Sequence, residues 1–116
     1  MKIGQLATRT RVNTPTLRYY ERLGLIRSER RQNGYRDFDD GMVRLVGLVR
    51  MGQKLGFSLR EMRDIVATIS DAGMSAEQTA DLLRDKLSDL DVRIGEMMRM
   101  KELLLSALTE VCPIRH

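Results

Sequence analysis

The 116-residue sequence predicts a mainly α-helical fold, broken by one small β-ribbon and completed by one very long helix. Three observations predict it. Helix-start signals recur at Asn13-Thr14-Pro15, at Ser58 with Glu61, and at Ser75 with Gln78. An Asn33-Gly34 turn dipeptide stands between short segments suited to a hairpin. Leucine-type residues then repeat at alternating steps of four and three over the last third of the chain.

A first helix is expected over Gly4 to Thr10 with Ile3, Leu6 and Ala7 inward, then a turn at Arg11-Val12. Asn13 caps a second helix from Thr14 to Leu23, with Pro15 in its first turn, where a missing N–H costs nothing. Gly24 ends it as a left-handed C′ residue. Leu25-Ile26 reads as a short strand and Tyr35-Arg36-Asp37-Phe38 as its returning partner, making a wing over 25–38. Asp39 or Asp40 caps a third helix over 40–55 that Gly56 closes, and Ser58 opens a fourth over 58–69. Ser75 opens a helix over 75–111, and Pro113 marks its stop.

That last helix would be roughly 50 Å long, more than a domain of this size covers. Leu83, Leu87, Leu90, Ile94, Met97, Leu104, Leu108 and Val111 hold the a/d series, with only Lys101 breaking it. A seam sustained over four heptads calls for a partner helix, hence a homodimer. A short chain that buries a modest core by itself agrees with that.

Charge divides the chain. Up to Ile69 there are 14 bases against 7 acids, and from Ser70 onward 6 against 9. All five aromatics, Tyr19, Tyr20, Tyr35, Phe38 and Phe57, also lie in the first part. A basic first part facing a polyanion fits this asymmetry. No apolar run reaches the roughly 20 residues of a membrane span, and the N-terminus lacks a signal peptide's apolar stretch. One cysteine, Cys112, excludes an internal disulfide framework. The cytoplasm is the expected compartment. An enzyme is not expected: the one histidine, His116, is the last residue, and no nucleophile–base set or phosphate loop is present.

A helix, tight turn, capped helix and wing is the geometry that sets one helix in a DNA major groove. The segment Thr16-Leu17-Arg18-Tyr19-Tyr20-Glu21-Arg22-Leu23-Gly24-Leu25-Ile26, followed by Asn33-Gly34-Tyr35-Arg36, resembles the MerR family of transcription regulators. Phe38 and Gly56-Phe57-Ser58-Leu59 continue the match, which covers nearly the whole chain. The resemblance implies a winged helix-turn-helix DNA-binding domain over 1–70, an antiparallel coiled-coil dimerisation helix over 75–111, and a tail over 112–116. It also implies a homodimer on double-stranded promoter DNA that bends and untwists the spacer so that RNA polymerase engages both promoter elements.

Thr14 and Thr16, near the end of the second helix that enters the groove, suit base edges or phosphates, while Thr14 equally suits a capping role. Arg18 and Tyr19 fit the DNA backbone, a role the resemblance supports; Tyr20 fits either a contact or the core. In the wing, Arg30, Arg31, Tyr35 and Arg36 are candidates, with Arg36 alternatively paired to Asp39 or Asp40. Lys54 and Arg60 are secondary. Arg11 stands where the family usually has glycine. A left-handed residue there costs about 1 kcal/mol, so either the turn differs or Arg11 adds a phosphate contact.

Five residues follow the long helix, so a short form with little or no C-terminal effector domain is expected. Cys112 and His116 are candidates for a sensor thiol or metal ligands, set against an apolar Cys112 that finishes the seam. Two ligands make a weak metal site, and Ser75 stands where divalent-metal sensors of the family place a cysteine. No cofactor is therefore firmly expected. The alternatives to an effector-responsive regulator are an effector-independent repressor and an architectural or excisionase-like winged-helix protein.

Overall fold

The computed structural model describes residues 1–69 and 73–111. Its elements are α1 (Ile3–Thr10), α2 (Thr14–Arg22), β1 (Glu29–Arg30), β2 (Arg36–Asp37), α3 (Gly41–Lys54), α4 (Leu59–Thr68) and α5 (Ala76–Val111). The chain divides into two compact units, Met1–Gly73 and Met74–His116.

In the first unit a side chain accepts one backbone N–H at or just before each helix start. The Gln5 side chain accepts from the Lys2 amide at 2.9 Å at the head of α1. Arg11 then turns left-handed, φ 58° and ψ 31°. The turn thus has the form expected of glycine although an arginine occupies it. Asn13 Oδ1 accepts from the Thr16 amide at 2.9 Å and starts α2. Gly24, at φ 80°, follows its end.

Leu25 and Ile26 are fully buried but form a bend, not the strand expected of them. Two apolar side chains in sequence can reach the core without a ladder partner. The ladder instead begins further on, with Glu29 opposite Asp37 and Arg30 opposite Arg36. The turn sets that register: the Gly34 amide donates to the Arg31 carbonyl and the Arg31 amide to the Tyr35 carbonyl, both at 2.9 Å. Gly34 carries the positive φ of 83° that the connection needs.

Both aspartates before α3 are used, in different ways. Asp39 Oδ1 accepts from the Gly41 amide at 2.7 Å, while Asp40 Oδ1 receives Arg9 Nη1 of α1 at 3.1 Å. Gly56 closes α3 at φ 89°, and the Phe57 amide returns to the Gly52 carbonyl at 2.9 Å. Ser58 and Glu61 form the reciprocal capping box of α4, with bonds of 2.9 and 3.0 Å.

One core ties these elements together. Leu6 of α1, Leu17 and Tyr20 of α2, and Phe38 after β2 meet Met42, Val46 and Val49 of α3, and Met62 of α4 joins them. Complete burial contributes roughly 1.5–3 kcal/mol per large side chain before entropy is counted. Where α3 meets α4, Gly52 leaves the space that the Met62 side chain fills.

In the second unit, Ser75 and Gln78 form a capping box at the head of α5, with bonds of 2.9 and 3.1 Å. The 36 residues of α5 span about 54 Å at 1.5 Å per residue. All eight seam residues are exposed, from Leu90 at 38% to Val111 at 77%.

Candidate nucleic-acid interface

α2 and the wing are held by one carboxylate. Glu21 Oε1 accepts from Arg36 Nη1 of β2 at 2.9 Å, and its Oε2 accepts from Ser28 Oγ just before β1. The second helix therefore grips both limbs of the hairpin. The wing's base is also fixed by the Met1 amine, which donates to Asp37 Oδ1 at 2.9 Å and to the Phe38 carbonyl at 2.7 Å. Asp37 Oδ2 also receives Arg31 Nη2 at 3.0 Å. The Met1 ammonium first, and Arg31 second, hold the Asp37 carboxyl below its ordinary value of 3.8.

Between these parts lies an open groove lined by Lys2, Ile3, Arg18, Glu21, Arg22, Tyr35 and Arg36. Four of the seven are cationic. Arg18, Glu21 and Arg22 share one face of α2 through i, i+3 and i+4 spacing. Tyr35 is 58% exposed with Lys2 Nζ 4.8 Å from its ring centroid, a cation–π contact that orients the phenol. Tyr19 is exposed beside this face, with the Arg22 guanidinium 5.7 Å from its ring.

The groove thus brings together Arg18, Tyr35 and Arg36 of the expected contacts. Thr14 and Thr16 do not line it; they are half-buried in the first turn of α2, where the cap is the Asn13 side chain. Arg30 and Arg31 are exposed in β1 and the turn, with Arg31 already paired to Asp37. The partner of Arg36 is Glu21, not Asp39 or Asp40, because those two serve the α3 start and Arg9. Tyr20 belongs to the core: it is 4% exposed and its hydroxyl donates to Gln53 Oε1 of α3 at 3.0 Å. Burial pushes its phenol pKa up, opposed by nearby Arg50. Lys54 and Arg60 are exposed at the α3–α4 junction. Lys2 and Arg22 are additions that the sequence reading does not contain. The helical spacing of Arg22 from Arg18 is a usable signal, whereas the place of Lys2 depends on the fold.

No group of three His, Cys, Asp or Glu residues that could hold a metal occurs among the described residues, and Cys112 and His116 lie outside them. Ser75 is engaged as the α5 cap. No helix among the described residues is long and apolar enough to cross a membrane.

A capped second helix beside a two-stranded wing, with cations on their shared face, defines a winged helix-turn-helix DNA-binding protein. The chain belongs to the MerR family of transcription regulators: residues 2–38 match the MerR family regulatory protein model and residues 43–107 the MerR DNA-binding model. It is 35% identical over 104 residues to the HTH-type transcriptional regulator HmrR of Rhizobium leguminosarum bv. viciae, covering 90% of this chain and 81% of HmrR. It is 34% identical over 113 residues to the mercuric resistance operon regulatory protein of Bacillus cereus, covering 97% and 85%. Among solved structures it resembles the regulator PbrR691 of Ralstonia metallidurans CH34 in complex with lead(II), with TM-score 0.74 and 20% identity, covering 91% of this chain and 83% of that one. It also resembles HiNmlR, a MerR family regulator lacking the sensor domain, bound to promoter DNA. There the TM-score is 0.59 and the identity 23%, covering 93% and 86%. The chain is a DNA-binding transcriptional regulator and not an enzyme.

Proposed function

We propose that the chain acts as a homodimer on a promoter spacer, α2 entering the major groove and the wing gripping flanking phosphates. The observation that carries this reading is the groove of Lys2, Arg18, Arg22, Tyr35 and Arg36 between helix and wing. Guanidinium groups there suit bidentate phosphate contacts, and the Tyr35 hydroxyl adds a neutral one. Thr14 and Thr16 of the first α2 turn, with Tyr19, Arg30 and Arg31, complete the contact set.

The exposed a/d residues Leu83, Leu87, Leu90, Ile94, Met97, Leu104, Leu108 and Val111 pair with those of a second copy in an antiparallel coil. Two reading heads joined in this way fix a half-site spacing and permit bending and untwisting of the DNA between them, so that RNA polymerase engages both promoter elements.

Two relatives point to regulation by metals: one is named for mercuric resistance, and PbrR691 is described with lead(II). A metal or thiol-reactive effector of this chain would draw on Cys112 and His116, the one cysteine and the one histidine of the sequence. An effector-independent regulator is the second reading, favoured by the likeness to HiNmlR, a member lacking the sensor domain.

Footprinting on the chain's own upstream DNA, with light scattering of the free protein, tests the proposal. A dimer protecting one site between promoter elements is expected. Cooperative coating of long DNA, or a monomer in solution, would contradict it.

A further inference from the structure

Arg11 holds a left-handed backbone, φ 58° and ψ 31°, the only non-glycine residue with positive φ among those described. The side chain is exposed, and no carboxylate pairs with it among the described residues. The contact at this turn is Arg50 Nη1 of α3 on the Arg11 carbonyl, long at 3.4 Å and exposed, hence weak. It involves only the Arg11 backbone, so any residue at that position would provide it. Neither packing nor pairing accounts for an arginine in a conformation that glycine adopts freely.

Its position does. Arg11 lies two residues before the Asn13 cap of α2, on the turn that leads into the helix assigned to the major groove. Arg50 comes to the same turn from α3, and it too lacks a carboxylate partner among the described residues. Two arginines 39 positions apart in sequence thus meet at one turn, Arg50 through its guanidinium and Arg11 through its backbone carbonyl, with no ion-pair partner among the described residues. A phosphodiester is the ligand that two arginines at one turn suit, because its oxygens accept the fork-like N–H donors of a guanidinium.

We infer that Arg11, with Arg50 beside it, binds a DNA backbone phosphate at the N-terminal end of α2. The phosphate supplies the negative charge that no acid among the described residues brings to Arg11 or Arg50. The contact adds sequence-independent affinity and fixes the depth of α2 in the groove. It rests on the DNA-binding reading of α2 and the wing.

The test compares wild type, Arg11→Gly, Arg11→Asn and Arg11→Lys by fluorescence anisotropy on a short labelled duplex of random sequence across a KCl series, alongside thermal melting. Glycine relieves the strained turn and asparagine tolerates it, so neither variant should melt below wild type. Both should bind about five- to tenfold more weakly per protomer near 0.1 M salt, with a log–log salt slope shallower by about 0.9 per protomer. Lysine should retain most of the slope. Unchanged affinity and slope in Arg11→Gly and Arg11→Asn, with normal wild-type binding, would overturn this inference alone. Absence of salt-dependent binding by the wild type would overturn the DNA reading, and this phosphate site with it.

Discussion

Arg36 Nη1 donates to Glu21 Oε1 at 2.9 Å, joining the wing to α2 across 15 positions of sequence. Glu21 also receives Ser28, so one carboxylate sets the angle between helix and hairpin. The Arg36 side chain is half exposed, so screening discounts the ion pair, and the bonds together contribute about 1 kcal/mol. Glu21→Ala should lower unfolding free energy by about that amount in urea titration. It should also loosen the wing, seen as faster amide exchange at Arg36 and Asp37. Unaltered exchange there would show that the carboxylate does not hold the wing.

Asp37 gives the wing a defined acid response. Its folded-state pKa is depressed, first by the Met1 ammonium and then by Arg31. A depressed carboxyl contributes stability that is fully present above its unfolded value, near 3.8, and lost as pH falls through the lower folded value. Stability of the wild type should therefore decline more steeply below about pH 4 than that of Asp37→Asn. Parallel acid profiles for the two proteins would mean that Asp37 has no part in the acid response.

Gly52 tests the packing of α3 on α4. A Cβ added there would enter the space of Met62 Sδ, and Met62 is 2% exposed with little freedom to withdraw. Gly52→Ala should cost about 1–3 kcal/mol although alanine is the better helix former. In a Met62→Ala background the same change should cost much less, because the clash is gone. Equal costs in both backgrounds would mean that the two residues do not collide.

Much of the helical plan is legible in the sequence because its signals are local. The Asn13 cap, the Ser58–Glu61 and Ser75–Gln78 boxes, and Gly24, Gly34 and Gly56 each satisfy or reverse a backbone within a few residues. Leu25-Ile26 fails as a strand because burial of two apolar side chains does not require a ladder, and the register comes from the Arg31–Tyr35 turn. Sequence proximity matches Arg36 with Asp39 and Asp40, yet its partner is Glu21. Which acid is free depends on tertiary contacts such as Arg9 with Asp40. Lys2 escapes a sequence reading for the same reason: only folding sets its ammonium over the Tyr35 ring.

The central claim is that the groove between α2 and the wing receives DNA backbone. Arg18→Ala removes an exposed groove cation with no acid partner among the described residues, so the fold should be unaffected. The decisive measurement is the salt dependence of binding to the chain's own upstream promoter duplex, wild type against Arg18→Ala. Binding should weaken, and the log–log slope should fall by about 0.9 for each phosphate that Arg18 no longer neutralises. Identical affinity and slope in the two proteins would contradict the claim.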